Sequence, residues 1–360
     1  MTELLFQPNN HSVFAITYRP AVSETAQKLA AFLLLNYPFK EIRAEDIVQV
    51  NETEQASNNF RVPIVTDKGE LRVLLVRKHI LLAEASSVLL LEKTLRYLSE
   101  NNVEVPRLLQ TRAGAGHIET EGHLWQVFEF IDGAHYTGTG EELVSAAEGF
   151  ASLHLALANF PYEEEVLTRL APLEPFSDEA LERVLRAAER NQNDIDAVFI
   201  EYASALRGFA SARERFGEGG ARRQIVHGDL HPHNTLFSDH KLRAILDFDM
   251  LQNAELLRDV GFAAHRFSRQ HAVHERGGAD HAVYAFNRFI AAYRAKNALT
   301  DTEVPGIFRY MLDELLRRVV TDFSRYYFED ITRYATAEEL RKKVALLNEA
   351  LWLSKHALIS

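Results

Sequence analysis

The chain has 360 residues, of which 47% are hydrophobic, enough for a sizeable core divided between two lobes. A net charge of −11 argues against a nucleic-acid partner, and the absence of cysteine excludes disulfides, thiolate catalysis and cysteine-held metals. The opening MTELLFQPNN lacks the basic start and apolar run of a signal peptide. The most apolar stretch, around 80–91, is broken by Glu84 and too short for a bilayer, so the expected setting is cytoplasmic, with no membrane partner.

Residues 20–35 carry Ala26, Leu29 and Leu33 at helical spacing. Phe60–Val65 and Leu71–Lys78 read as strands joined by a hairpin turn at Asp67-Lys68-Gly69. Pro63 costs a ladder hydrogen bond and predicts an edge strand or a bulge there. Val88, Leu91, Leu95 and Leu98 mark one helical face, which Asn101-Asn102 ends. Trp125–Ile131 reads as a strand. These elements predict a small sheet-and-helix lobe over residues 1–131, leaving 132–360 as a mainly helical second lobe.

In that second part Leu143, Ala147, Phe150, Leu153 and Leu157 share a helix face, and 177–215 hold two more helices. Gly217-Glu218-Gly219-Gly220 reads as a flexible connector. Toward the C-terminus Leu312, Leu316, Val319, Phe323 and Tyr326 form another face. Thr336 with Glu339 is a capping box before a last helix carrying Leu340, Val344, Leu347 and Leu351.

Residues 225–249, IVHGDLHPHNTLFSDHKLRAILDFD, hold the chemistry. Ile225-Val226 ends a short buried strand, and His227-Gly228-Asp229 is a tight turn in which glycine allows unusual dihedrals. Thr235–Phe237 and Leu242–Leu246 read as two strands about a turn at Ser238–Lys241, the second delivering Asp247. Phosphoryl transfer needs a carboxylate near the attacking hydroxyl and an acid with an amide to hold a metal across the phosphates. Asp229, Asn234 and Asp247 are that set. Asn adds an oxygen without a second full charge, which suits Mg²⁺ held largely by phosphate and water oxygens.

This segment resembles the signature of the aminoglycoside phosphotransferase and choline kinase group of small-molecule kinases. The matching residues are His227-Gly228-Asp229, Asn234, Leu246-Asp247-Phe248-Asp249 and, downstream, Asp259. The resemblance implies an α+β, two-lobed, protein-kinase-like fold with a small antiparallel-sheet N-lobe and a larger, mainly helical C-lobe. By it, Asp229 is the catalytic base or the group orienting the substrate hydroxyl, and His227 holds the loop. Asn234 and Asp247 bind Mg²⁺, Asp249 joins them or caps a turn, and Asp259 is structural. ATP or GTP is the expected donor and a small-molecule hydroxyl compound the expected partner. Aminoglycosides, choline or ethanolamine, homoserine and sugars are all acceptors in the group, and the layout after Asp247 is most similar to its sugar and homoserine-type members. The oligomeric state is left open.

The same resemblance calls for a strand-end cation facing the phosphates and paired with a helix Glu. Arg77 and Lys78 end the Leu71–Lys78 strand, and Glu92 lies in the next helix. Alternation puts the two cations on opposite faces, and Arg77 is favoured, with Lys78 close behind. Glu129-Phe130-Ile131 resembles the hinge whose backbone meets adenine, which makes Glu129 and Ile131 nucleotide-side candidates. The expected phosphate-covering loop, Asn51–Asn59, contains no glycine and leaves Ser57, Asn58 and Asn59 to supply hydrogen bonds.

Two rivals stand beside this reading. His231-Pro232-His233 with Asp229 and Asp247 suggests a zinc or iron hydrolase, although that predicts neither Asn234 nor the upstream hairpin. A catalytically silent kinase-like module fits the glycine-free loop. Arg317, Asp322 and His265 are candidate substrate contacts, against the plainer reading that they serve ordinary helix faces.

Overall fold

The computed structural model describes residues 5–7, 16–51, 59–79, 85–120, 122–161, 170, 173, 175–217, 220–332 and 335–357. Most of the expected phosphate-covering loop, 52–58, and part of the glycine connector, 218–219, lie outside them.

The first lobe is an antiparallel sheet of β1 (Thr17–Pro20), β2 (Phe39–Ile42), β3 (Val48–Asn51), β4 (Asn59–Thr66), β5 (Leu71–His79), β6 (His117–Thr120) and β7 (His123–Glu129). Its order is β1-β3-β4-β5-β7-β6, with β2 also on β4. Alternation along the strands builds two faces. Phe60, Val62 and Ile64 of β4, Leu74 and Val76 of β5 and Val127 of β7 pack on Ala26, Leu29 and Leu33 of helix α1 (Ser23–Asn36). The opposite face carries Leu75, Arg77 and Phe128 toward the second lobe.

β4 is an interior strand whose pairing with β5 runs through Pro63 with no register shift, so neither the edge nor the bulge expected there is found. Pro63 pairs only with Val73 of β5. On its other side β3 pairs as far as Arg61 and β2 begins at Ile64, so the proline sits in the gap between them. A residue with no N–H to donate costs no ladder bond at such a break.

Helix α2 (Ala85–Glu100) ends at Asn102, whose φ of 58° turns the chain and lets the Val103 amide donate to the Leu98 carbonyl at 2.9 Å. Its face of Leu91, Leu95 and Leu98 belongs to the core of the second lobe, so the helix binds the lobes together. Residues 5–7, on the first-lobe side of the expected division, also dock on the second lobe: Phe6 donates its amide to Glu349 at 3.0 Å.

The second lobe packs helices α3 (Gly140–Ala158), α4 (Asp178–Ala188), α5 (Asp194–Arg213), α6 (Leu256–His274), α7 (Gly278–Lys296), α8 (Glu303–Glu329) and α9 (Ala337–His356) around one apolar core. Thr139, Ser177, Asn193 and Thr336 cap α3, α4, α5 and α9 with side-chain oxygens. Two short ladders sit among the helices. β8 (Arg223–Val226) pairs with β11 (Gln252–Glu255), and β9 (Thr235–Ser238) pairs with β10 (Lys241–Ile245). No helix among the described residues is long and apolar enough to cross a membrane. The α+β, two-lobed architecture expected of the chain is the observed one.

Candidate active site

The loop after β8 is held from beneath. Gly228 has φ +80°, and a Cβ there would lie 2.4 Å from the Met250 carbonyl oxygen, so only glycine fits. Asp259, in the first turn of α6, accepts from the His227 amide at 2.8 Å and the Gly228 amide at 3.0 Å. Behind it a buried chain runs outward. His154 Nε2 is 3.3 Å from Asp259, His154 Nδ1 is 2.8 Å from the Tyr293 hydroxyl, and Asn297 donates to that hydroxyl at 2.9 Å. The His227 ring is fully buried, with Nε2 2.8 Å from the Leu246 carbonyl, which ties the turn to the strand end before Asp247. Burial pushes the His227 imidazole pKa down, so it donates to that carbonyl as a neutral ring.

Asp229 emerges from this turn. Asn234 Nδ2 donates to the Asp229 backbone carbonyl at 2.9 Å and to its carboxylate at 3.2 Å. Arg318, on α8, brings Nη1 to 2.9 Å from the other carboxylate oxygen and donates through Nη2 to the Gly228 carbonyl at 2.9 Å. Its Nε donates to Glu314 at 2.8 Å, and its guanidinium lies over the Phe262 ring, 4.1 Å from the centroid. His231 Nε2 lies 3.3 Å from Asp229. Burial pushes the Asp229 carboxyl up, but Arg318, then His231 and His227, outweigh it and hold it well below the usual carboxylate range.

Asp247 follows β10 with φ +62°, a left-handed conformation uncommon for a residue with a Cβ. From the first lobe Arg77 Nη2 reaches Asp247 at 2.9 Å and Asp249 at 2.7 Å. Asp249 is nearly buried and Asp247 is not: their side chains are 7% and 41% exposed, so the second carboxylate alone faces open space. Burial raises the Asp249 pKa, Arg77 opposes the rise and Asp247 adds to it. A cleft of about 100 Å³ lies between the lobes here, lined by Leu75, Arg77, Leu91, Phe128, Asn234 and Asp247.

The other candidates divide. Lys78 points to the α1 face, with Nζ 5.8 Å from the Trp125 ring centroid. Glu92 is buried and meets His117 Nδ1 at 2.7 Å and the Gln126 amide at 3.4 Å, while Arg77 turns across the cleft to the two aspartates. Glu129 sits at the end of β7, its amide donating to Arg107 at 2.9 Å and its carboxylate within 4 Å of Arg72 and Arg107. Ile131 lies two residues past the strand and is half-buried. Arg317 is paired with Glu314 at 2.6 Å, Asp322 with Lys343 at 2.5 Å, and His265 is fully buried 3.6 Å from Glu349. These three serve the helix packing. Among the described residues no three His, Cys, Asp or Glu side chains come together as a metal cluster. The zinc-type set is therefore not assembled: His231 faces Asp229, and the His233 ring stands edge-on to His135. Arg318 is the site residue that sequence reasoning missed: helical phase alone does not separate it from the adjacent Arg317.

The oxygen donors Asn234, Asp247 and Asp249 suit a hard cation, and the fit has a structural mark: Asp249 Oδ1 is buried with no hydrogen-bond donor.

A strand-end cation and a helical lobe meeting over a His-Gly-Asp turn, an Asn and a strand-end Asp make this the protein-kinase-like fold of small-molecule phosphotransferases. The phosphotransferase enzyme family model matches residues 53–295, and the chain belongs to that family. It is a small-molecule kinase. A homoserine kinase of Bradyrhizobium diazoefficiens is 25% identical over 253 residues, spanning 66% of this chain and 67% of that protein. A spectinomycin phosphotransferase solved with ADP and spectinomycin superposes with a TM-score of 0.62 at 12% identity, over 92% of this chain and 98% of that one. An amicoumacin kinase solved with AMP-PNP and Ca²⁺ gives 0.60 at 16% identity, over 93% and 94%. At these identities the solved structures show the fold alone.

Proposed function

We propose that the protein moves the γ-phosphate of ATP, or GTP, to a hydroxyl of a small molecule, with Asp229 at the attacking oxygen. The observation that supports this best is the convergence just described: Asn234 touches the Asp229 carboxylate at 3.2 Å, while Asp247 and Asp249 face a cation from the other lobe. The lobe division falls after Ile131, with the nucleotide on the 1–131 side and the acceptor on the 132–360 side.

Asn234 and Asp247, with Asp249 beside them, would hold Mg²⁺, which when bound neutralises charge across the phosphate oxygens. Arg77 exchanges its carboxylate partners for phosphate oxygens as nucleotide enters, since its fork matches either. Asp229 accepts a hydrogen bond from the acceptor hydroxyl and fixes its line of attack. A carboxyl held so far below the usual range is a weak base, so the proton passes to it late, when the oxygen–phosphorus bond is already forming. Asp259, Arg318 and the Asn234 amide keep the carboxylate in place while this happens.

The test is a melting scan with Mg-ATP and with EDTA, followed by γ-phosphate transfer across a panel of hydroxyl compounds. A magnesium-dependent rise in midpoint, lost in Asp247→Ala, is the expected result. Full transfer by Asp229→Ala would overturn the mechanism.

A further inference from the structure

Asp229 presents two unlike oxygens. Oδ1 is buried, with Arg318 Nη1 2.9 Å from it. The 21% exposure of the side chain therefore lies on the Oδ2 side, which is the side an incoming hydroxyl can reach. Asn234 Nδ2 donates to Oδ2 at 3.2 Å, and His231 Nε2 lies 3.3 Å from it. Asn234 has a second duty in the reading above: its amide nitrogen faces Asp229, which leaves its oxygen for the cation. His231 has no such duty, and the proposed mechanism makes no use of it.

The fold decides which nitrogen of the His231 ring carries the proton. His231 caps the short 3₁₀ turn Pro232–Asn234, and its Nδ1 accepts from the His233 amide at 3.3 Å. A nitrogen that accepts carries no proton, so the ring's N–H is at Nε2, the atom facing Oδ2. The turn itself is locked. Pro232 opens it without needing an amide donor, the Asn234 amide donates to the His231 carbonyl at 2.9 Å, and the Thr235 hydroxyl donates to the Pro232 carbonyl at 2.7 Å. The His233 ring stands at 88° to the His231 ring with centroids 5.4 Å apart, which restricts its rotation. Both contacts on Oδ2 are longer than the usual length of about 2.9–3.0 Å, so neither saturates that oxygen. They leave it room for a third donor and set the direction from which that donor comes.

We propose that Asp229 receives the acceptor hydroxyl on Oδ2, and that His231 is the residue that positions this oxygen, with its Nε2–H as donor and its Nδ1 cap as anchor. This rests on the phosphotransfer reading above. One ring thereby joins two parts of the site: the turn that delivers Asn234 also fixes the aim of Asp229. The contact between His231 and Oδ2 shortens when the acceptor closes the site, as long catalytic hydrogen bonds commonly do in the complex. A displacement of Oδ2 by about 1 Å is enough to slow transfer about a hundredfold.

Two variants of the full chain separate the ring's two nitrogens. Asparagine reproduces the accepting position of Nδ1 and keeps the cap, but falls short of Asp229. Glutamine carries an N–H out to the place of Nε2. His231→Asn should lower kcat for transfer from Mg-ATP about ten- to a hundredfold, both to water and to the panel hydroxyl compound that reacts fastest, with the KM for ATP within about twofold. His231→Gln should keep kcat within about threefold of the native chain. Full activity in His231→Asn, or a loss in His231→Gln as large as that in His231→Asn, overturns the proposal. Nitrogen NMR of histidine-labelled native protein tests the same bond without turnover, with His231 assigned by the signal lost in His231→Gln. It should show Nε2 protonated and Nδ1 bare, with the Nε2 signal displaced in Asp229→Ala. A proton on Nδ1, or no displacement, overturns the proposal. A native chain that transfers phosphate neither to water nor to any panel compound removes the phosphotransfer reading, while the NMR result still decides the bond between His231 and Asp229.

Discussion

Two arginines hold carboxylates at this site, one from each lobe, and they do so differently. Arg318 stays within its own lobe, bonded to Asp229, Glu314 and the Gly228 carbonyl and stacked on Phe262. Arg77 crosses from the sheet to Asp247 and Asp249. On the proposed reading, the acceptor half is thus fixed by interlocking bonds before any ligand arrives, and the nucleotide half is closed by an ion pair that a phosphate would replace. A rigid half suits the atom that must be aimed, and an exchangeable half suits a ligand that must enter and leave.

The largest expected effect tests the aim itself. Asp229→Ala should lower transfer by about a thousandfold while leaving the Mg-ATP melting shift intact. Loss of the nucleotide shift as well would mean that the two halves are not separable. Next, Asp259→Ala leaves the His227 and Gly228 amides buried without acceptors and should cost about 2–5 kcal/mol in denaturant unfolding, with loss of transfer.

Arg318→Gln separates charge from packing. Asp229 has a depressed pKa in the fold, so the stability its charge contributes is present above the unfolded value of about 4 and is lost as pH falls through the lower folded value. The native enzyme should therefore show no acid limb from this group near or above pH ~4. In Arg318→Gln the burial that raises the pKa is no longer outweighed by Arg318, and an acid limb in kcat should rise into or above the ordinary carboxylate range. An unchanged pH profile would show that Arg318 does not set the Asp229 charge.

Arg77→Ala should raise the KM for ATP about tenfold, with a stability change of no more than about 1 kcal/mol, because its pairs are partly solvated. A large stability loss with unchanged KM would make it a lobe clasp only. The smallest effect is Lys78→Ala. It should leave the KM for ATP within about twofold and cost under about 1 kcal/mol, the loss of its contact with the Trp125 ring.

The elements that showed in the sequence are those with a strong period or a cap. The α3 face, the β4–β5 hairpin and Thr336 were readable because apolar spacing and turn chemistry act locally. The strands β1, β2, β3, β6 and β11 were not, since four residues hold too little alternation to detect; β8 and β9 are as short and are readable only because they flank the His-Gly-Asp turn and its hairpin. Pro63 misled for a related reason: its missing N–H predicts a strand edge or a bulge, and only the sheet pairing reveals a gap between two neighbours.

Local order along the chain determined the family, the two-lobed fold and the acid–amide–acid spacing of Asp229, Asn234 and Asp247, because that loop and hairpin are built from contiguous residues. What it left open was every pairing made across distance. Arg318 at Asp229, Arg77 at Asp247 and Asp259 under the His-Gly turn each depend on how α6, α8 and the sheet pack together. A side chain's charge is written in the sequence, but its partner is chosen by the fold.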